Sequence, residues 1–163
     1  MAGSATPEIS AAIIEEVAAW GASVGFPSWM PGSFTGPESI GMSRLRGDIA
    51  AGGLHLVWQG SHALATFSLL ERDLLYWPAA GADALYLHRF AVRRVAAGAG
   101  RHAVLWSLRE AHRRGRPFVR LDCLAENPGI RRYYERFGFT EVGERTIDGT
   151  RYSLYEVAVA EAP

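Results

Sequence analysis

Residues 87–139 read LHRFAVRRVAAGAGRHAVLWSLREAHRRGRPFVRLDCLAENPGIRRYYERFGF, and their order of parts decides the fold. A strand-like run ends in a bend rich in Gly and Ala, followed by a helix that stops at Gly115. A second strand comes next, then an Asn127-Pro128 helix start and the pair Tyr133-Tyr134. Two strands joined through a helix make a parallel crossover unit. A bend of this composition at a helix start leaves several main-chain N–H groups converging on one point, which suits a phosphate or pyrophosphate.

Working outward, Thr6-Pro7-Glu8 reads as an N-cap, a proline at the first helical position and an early acid. Ile9, Ile13, Val17, Trp20 and Val24 recur behind it at helical spacing, predicting a helix over about 7–24. GFPSWMPGSF reads as a loop. Thr35-Gly36-Pro37-Glu38 fits a capping box opening a second helix, with Met42, Leu45 and Ile49 on its apolar face. LHLVWQ and HALATFSLL around Gly60-Ser61 predict a hairpin. A loop with room for a short strand follows. The remaining elements are a strand at about 84–92, a helix at about 99–114, a strand at about 118–124 and a helix at about 128–137. Two last strands lie near 140–146 and 151–159, with Asp148-Gly149 as their turn. The order ααβββαβαββ implies an α/β fold, a mixed sheet covered by helices, in a single domain over 1–163.

Composition bounds the function. The 163 residues are 48% hydrophobic and 21% charged, with no apolar run long enough to span a bilayer and no leader-like start in MAGSATPEIS. The one cysteine, Cys123, rules out an intrachain disulfide framework and a CxxC metal site, and no metal is expected. A reduced, cytoplasmic protein is the expectation. The net charge of zero hides a division: residues 1–88 hold three Arg and eight acids (−5), residues 89–163 fourteen Arg and nine acids (+5). The basic half suits a polyanionic ligand and the acidic half an amine. Nucleic acid is disfavoured, because the basic residues form no dense tail.

The segment LDCLAENPGIRRYYERFGF resembles the GNAT superfamily of acyl-CoA-dependent N-acyltransferases, with Asn127, Ile130, Tyr134, Gly138 and Phe139 at the family's places. The resemblance covers about 84–145, and the N-terminal half by element order. It implies splayed central strands and acetyl-CoA as the acyl donor. Family members carry Gln/Arg-x-x-Gly-x-Gly/Ala at the bend. Here Ala97, Gly98, Ala99, Gly100, Arg101, His102 and Ala103 stand there; Gly100 matches, while Ala97 and His102 depart from the pattern. The resemblance assigns the main chain of Phe90, Ala91 and Val92 to the pantetheine arm, with Asn127 beside that arm. Arg131 is offered to a CoA phosphate, and the Tyr134 hydroxyl to the thioester sulfur. Asn127 before Pro128 is also an N-cap whatever the function.

Attack of an amine on a thioester needs a base for the ammonium, a donor for the developing oxyanion and an acid for the leaving thiolate. The Phe90 N–H is the expected oxyanion donor and Tyr134 the general acid. Tyr86 or His88 is expected to face the reacting groups. His88 is the base of choice, since histidine as a residue type exchanges protons near neutral pH; Glu71 and Asp73 are weaker candidates. Trp29, Phe34, Trp77 and Tyr86 are expected to line an apolar acceptor pocket, with a satellite core as the competing use of the loop aromatics. The expected activity is transfer of acetyl from acetyl-CoA to the primary amine of a small molecule, by a monomer or homodimer without nucleic-acid or membrane partners. Two alternatives stand beside it. One is a degenerate acyl-CoA-binding module without turnover. The other is an NAD(P)-dependent oxidoreductase, suggested by Gly98-x-Gly100-x-x-Ala103 with Asp122 about twenty residues on.

Overall fold

The computed structural model describes residues 5–26, 28–79 and 81–160. The opening MAGS, Pro27 and Ala80 of the two loops lie outside them. Ten elements follow in the expected order: α1 (Pro7–Ser23), α2 (Ile40–Ala50), β1 (Leu54–Gln59), β2 (His62–Leu70), β3 (Ala84–Val92), α3 (Ala99–Arg113), β4 (Phe118–Leu124), α4 (Pro128–Glu135), β5 (Thr140–Ile147) and β6 (Thr150–Ala158). The strands form one six-stranded mixed sheet in the order β1-β2-β3-β4-β6-β5. Among the described residues the segment between β2 and β3 is a loop with no strand of its own.

Local chemistry explains most boundaries. Thr6 Oγ1 accepts from the Ile9 N–H at 3.3 Å, as the Thr-Pro start predicts. Asp148 and Gly149 both have positive φ, +49° and +78°, the turn that a two-residue hairpin demands. The start of α2 differs from expectation. Gly36 sits at φ +84°, which interrupts any helix begun at Thr35, and Ser39 is the true cap, accepting from the Met42 N–H at 3.2 Å. Gly41 lies so close to the Phe34 ring that a Cβ would fall 2.5 Å from it. The buried face of α2 also differs: Met42, Leu45 and Asp48 point inward, while Ile49 is exposed.

The chain gathers into two compact units, Met1–Leu69 with Arg89–Ala103, and Leu70–His88 with Val104–Pro163. In the first, Ile13, Ile14, Phe34, Met42, Leu45, Leu54 and Ala91 pack together, each side chain contributing about 1.5–3 kcal/mol where it is large and fully buried. A smaller cluster joins Ala65, Ala96 and Ala99 with Val57, Leu64 and Val92. In the second, β3 and β4 pair in parallel from Ala84↔Phe118 to Leu87↔Leu121. β4 pairs antiparallel with β6 along its whole length. The β3–β4 ladder ends at Leu87, while β3 itself runs on to Val92. Arg120 is buried here with its charge answered by Asp83 (2.8 Å) and Glu156 (2.6 Å).

Candidate active site

In the first unit, the relevant backbone is the end of β3 and the entry to α3. Arg89 has φ +45° in the middle of the strand, a conformation that costs a non-glycine residue roughly 1–3 kcal/mol. Phe90 and Val92 are half-buried, and Ala91 is buried in the core. Arg93 N–H then reaches Leu64 O at 3.0 Å. Residues 93–98 separate β3 from α3, so the strand-to-helix turn is not the tight one that the dinucleotide fingerprint requires. Gly98 at φ +84° is the position in this bend that needs glycine. Ala99 N–H bonds Ala96 O (3.2 Å) and His102 N–H bonds Gly98 O (3.0 Å), which leaves the N–H groups of Gly100 and Arg101 at the open end of the helix. Ala97, Gly98, Arg101 and His102 are exposed, while Ala99, Gly100 and Ala103 are buried. Main-chain donors at the positive end of a helix suit a pyrophosphate.

The same unit holds two residues expected on the acceptor side. Phe34 is part of the core, and Trp29 packs half-buried against that cluster. Glu15 fixes the loop by accepting from the N–H groups of Gly32 and Phe34, both at 2.7 Å. Phe34 therefore serves packing, the competing use of the loop aromatics; Phe26 and Met30 remain exposed.

The second unit carries the ionisable chemistry. His88 lies between two carboxylates, Nε2 at 3.0 Å from Asp73 Oδ2 and Nδ1 at 3.5 Å from Asp122 Oδ1, with all three side chains at most 13% exposed. Asp73 is anchored in turn: its Oδ1 accepts from the Tyr76 N–H (3.1 Å) and its carbonyl from the Trp77 N–H (2.9 Å). The Tyr76 ring is tilted toward His88 at 6.1 Å and meets Tyr152 edge-on at 5.0 Å. Burial, with the Asp122 charge next in weight, pushes the Tyr76 phenol well above its usual range. The three ligand-type atoms of Asp73, His88 and Asp122 lie within 4.8 Å of one another, a spacing one divalent ion can also occupy.

Sequence reading ranked Asp73 low and met Asp122 only as the ribose acid of a dinucleotide site. The parallel register explains the second. Leu87 opposite Leu121 brings the next residues, His88 and Asp122, side by side, and Asp122 is paired to Leu154 inside the sheet rather than displayed at a strand end. Equal offsets of the two predicted strands were the signal that could have found this pair.

Tyr86 is buried at 1% exposure and its hydroxyl accepts from Arg120 Nη1 at 3.2 Å, so it belongs to the core and not to an acceptor pocket. Trp77 leans on the Tyr86 ring at 6.1 Å, with the Arg120 guanidinium 5.2 Å from its own ring. Asn127 caps α4, its Oδ1 accepting from the Ile130 N–H at 3.1 Å. Tyr134 is buried against the rings of Tyr133 and Phe139, and desolvation holds its phenol far above the usual range. Arg131 donates to the Tyr155 hydroxyl (3.1 Å) and to Glu141 (2.7 Å), which occupies the guanidinium expected to meet a phosphate. Cys123 is buried and its thiol pushed up to about 12, first by desolvation and then by Asp122, consistent with a packing role.

No protein-family model matches the chain. Over 89 residues it is 34% identical to the uncharacterized N-acetyltransferase YesJ of Bacillus subtilis, covering 53% of this chain; the matched segment spans about half (48%) of that protein. Among solved structures, a GNAT-family acetyltransferase from Listeria monocytogenes superposes with a TM-score of 0.73 at 21% identity, covering 97% of this chain and 94% of that one. A GNAT-family acetyltransferase from Elizabethkingia anophelis with acetyl-CoA bound superposes at 0.58 and 14% identity, covering 71% and 82%. The chain thus has the GNAT acetyltransferase fold. Among the described residues, no helix is long and apolar enough to cross a membrane.

Proposed function

We propose that the chain is an N-acyltransferase moving an acetyl group from acetyl-CoA to the primary amine of a small molecule. The observation that carries this reading is the β3 backbone, which leaves its ladder with β4 at Leu87 and runs on toward the open N-terminus of α3. An amide-bearing arm would pair with the strand edge that parts from its neighbour in this way.

Acetyl-CoA, when bound, supplies an activated acyl group and a thiol leaving group. The main chain of residues 90–92 would bind its pantetheine amides, Asn127 would contact the same pantetheine arm, and the bend from Ala97 to Ala103 would bind its pyrophosphate. Arg131 would join a phosphate by exchanging its exposed partner Glu141, a pair of small worth at the surface. The Phe90 N–H would face the charge that grows on the carbonyl oxygen. His88 would take the proton that the ammonium must lose. Tyr134 would give its phenolic proton to the leaving thiolate as the amine displaces it. Trp29 and Trp77, both half-buried, remain proposed acceptor contacts. A small-molecule acceptor, a monomeric or homodimeric state and a reduced compartment complete the reading.

Titration calorimetry with acetyl-CoA, CoA and NADH tests it: acetyl-CoA and CoA are expected to bind, and NADH is not. Thiol release with a panel of amines then separates an enzyme from a binding module, the second reading, which the depth of Tyr134 favours. Preference for NADH would overturn the proposal.

His102 supplies a further test. It is exposed in the first turn of α3, where a small residue lets phosphate oxygens approach the main chain. His102→Gly is expected to bind CoA equally well or more tightly in the same titration. A large loss would show that the imidazole itself holds a phosphate.

A further inference from the structure

A left-handed backbone at a non-glycine residue persists only where its surroundings hold it, and at Arg89 the holder is visible. Arg89 Nε donates to Asp48 Oδ2 at 2.6 Å and Nη2 to Asp48 Oδ1 at 2.7 Å, a two-pronged, charge-assisted contact of fixed geometry. Asp48 is itself fixed, because the Ser68 hydroxyl donates to its Oδ2. Ser68 is fully buried on β2, and Asp48 is 6% exposed on α2. The next strand residue but one, Ala91, is locked in the core at 1% exposure. Phe90, between the gripped Arg89 and the packed Ala91, has its peptide orientation set from both sides.

We propose that Asp48 is a positioning residue: its carboxylate grips the Arg89 guanidinium and holds β3 in the left-handed turn that aims the Phe90 N–H, and the main chain through Val92, at an acyl thioester. This rests on the acyltransferase reading for what is aimed at, and on the first unit alone for the grip. A carboxylate on α2 thus acts on the reaction without touching any reacting atom. A purely stabilising role predicts a different response to substitution, because glycine takes positive φ at no steric cost and makes the grip dispensable.

The experiment compares Asp48→Ala, Arg89→Gly and the double variant in turnover and in the amide resonances of Ala91 and Val92. Asp48→Ala is expected to lower kcat at least ~10-fold, as loss of an aligned oxyanion donor does, with a smaller change in the acetyl-CoA KM, and to shift both resonances. Arg89→Gly in the Asp48→Ala background is expected to restore kcat to within ~3-fold of the parent and to return the resonances. A double variant that folds but stays as slow and as shifted as Asp48→Ala overturns the proposal, as does an Asp48→Ala protein with parental kcat and unmoved resonances. If Asp48→Ala does not fold, Arg89→Ala against Arg89→Gly makes the same comparison, since alanine needs the lost grip and glycine does not. If the parent protein transfers no acetyl group to any amine, the acyltransferase reading has failed, and the resonances alone decide the grip.

Discussion

Tyr134→Phe is expected to reduce turnover at least ~10-fold, equivalent to about 1.4 kcal/mol in the barrier, and to leave acetyl-CoA affinity nearly intact. The ring environment makes this substitution clean. Tyr134 is packed edge-on against Tyr133 (5.6 Å) and Phe139 (5.9 Å), contacts that a phenylalanine ring keeps. What is lost is the hydroxyl. Desolvation, followed in weight by Cys123, Tyr133 and Asp122, holds that hydroxyl protonated far above the working pH of an enzyme, which is the state a proton donor to a thiolate must have. General acids of this kind contribute ~10²–10⁴-fold. Pre-steady-state thiol release with a reactive amine is the measurement, and unchanged turnover would remove Tyr134 from the chemistry. A stability readout accompanies it. The folded-state pKa of this phenol lies above its unfolded value, so its neutral form stabilises the fold below the unfolded pKa near 10 and that contribution fades as pH rises further. Tyr134→Phe removes this titration, and its thermal stability is expected to fall less steeply than the parent's at alkaline pH.

Elements whose signals are local were legible in the sequence. Thr6-Pro7, Asn127-Pro128, Asp148-Gly149 and the stop at Gly115 each specify a backbone state through the residues that adopt it, and each stands where expected. The order of strands and helices, and with it the GNAT fold, followed from these and from the segment ending in Gly138-Phe139. Features that depend on distant partners were not legible. Asp48 at the inward position expected of Ile49 is unreadable from apolar spacing, because a buried acid is tolerable only beside a cation, and Arg89 lies on another element. The left-handed Arg89 likewise carries no glycine to announce it. Phe34 and Tyr86 were expected at an acceptor surface since large aromatics serve pockets and cores alike; a clash-free seat over Gly41 and an Arg120 hydrogen bond decide for the core. Asp122 joined His88 only once the β3–β4 register was known.

That juxtaposition sets the remaining prediction. An imidazole that accepts a proton becomes a cation, and at His88 two carboxylates wait for it, Asp73 at 3.0 Å and Asp122 at 3.5 Å. Asp73 is the better placed: its side chain is 6% exposed and its other oxygen is held by the Tyr76 N–H, so it orients the ring. Removing the ring altogether would strand a buried carboxylate, a change that costs about 3–5 kcal/mol when a buried pair is broken. His88→Gln is therefore the informative variant, since its amide N–H can still reach Asp73 while no basic nitrogen remains. Its turnover is expected to fall ~10²–10⁴-fold at neutral pH with little change in acetyl-CoA binding, and Asp73→Asn to fall in the same direction by less. The deficit of His88→Gln should shrink as pH rises, because an acceptor amine that is already deprotonated needs no base. A deficit that stays constant with pH would mean that His88 positions rather than deprotonates. Parental turnover in His88→Gln would assign proton removal to solvent. Activity that disappears on chelation and returns with a divalent ion would reassign the three groups as metal ligands, since their spacing allows that occupant too.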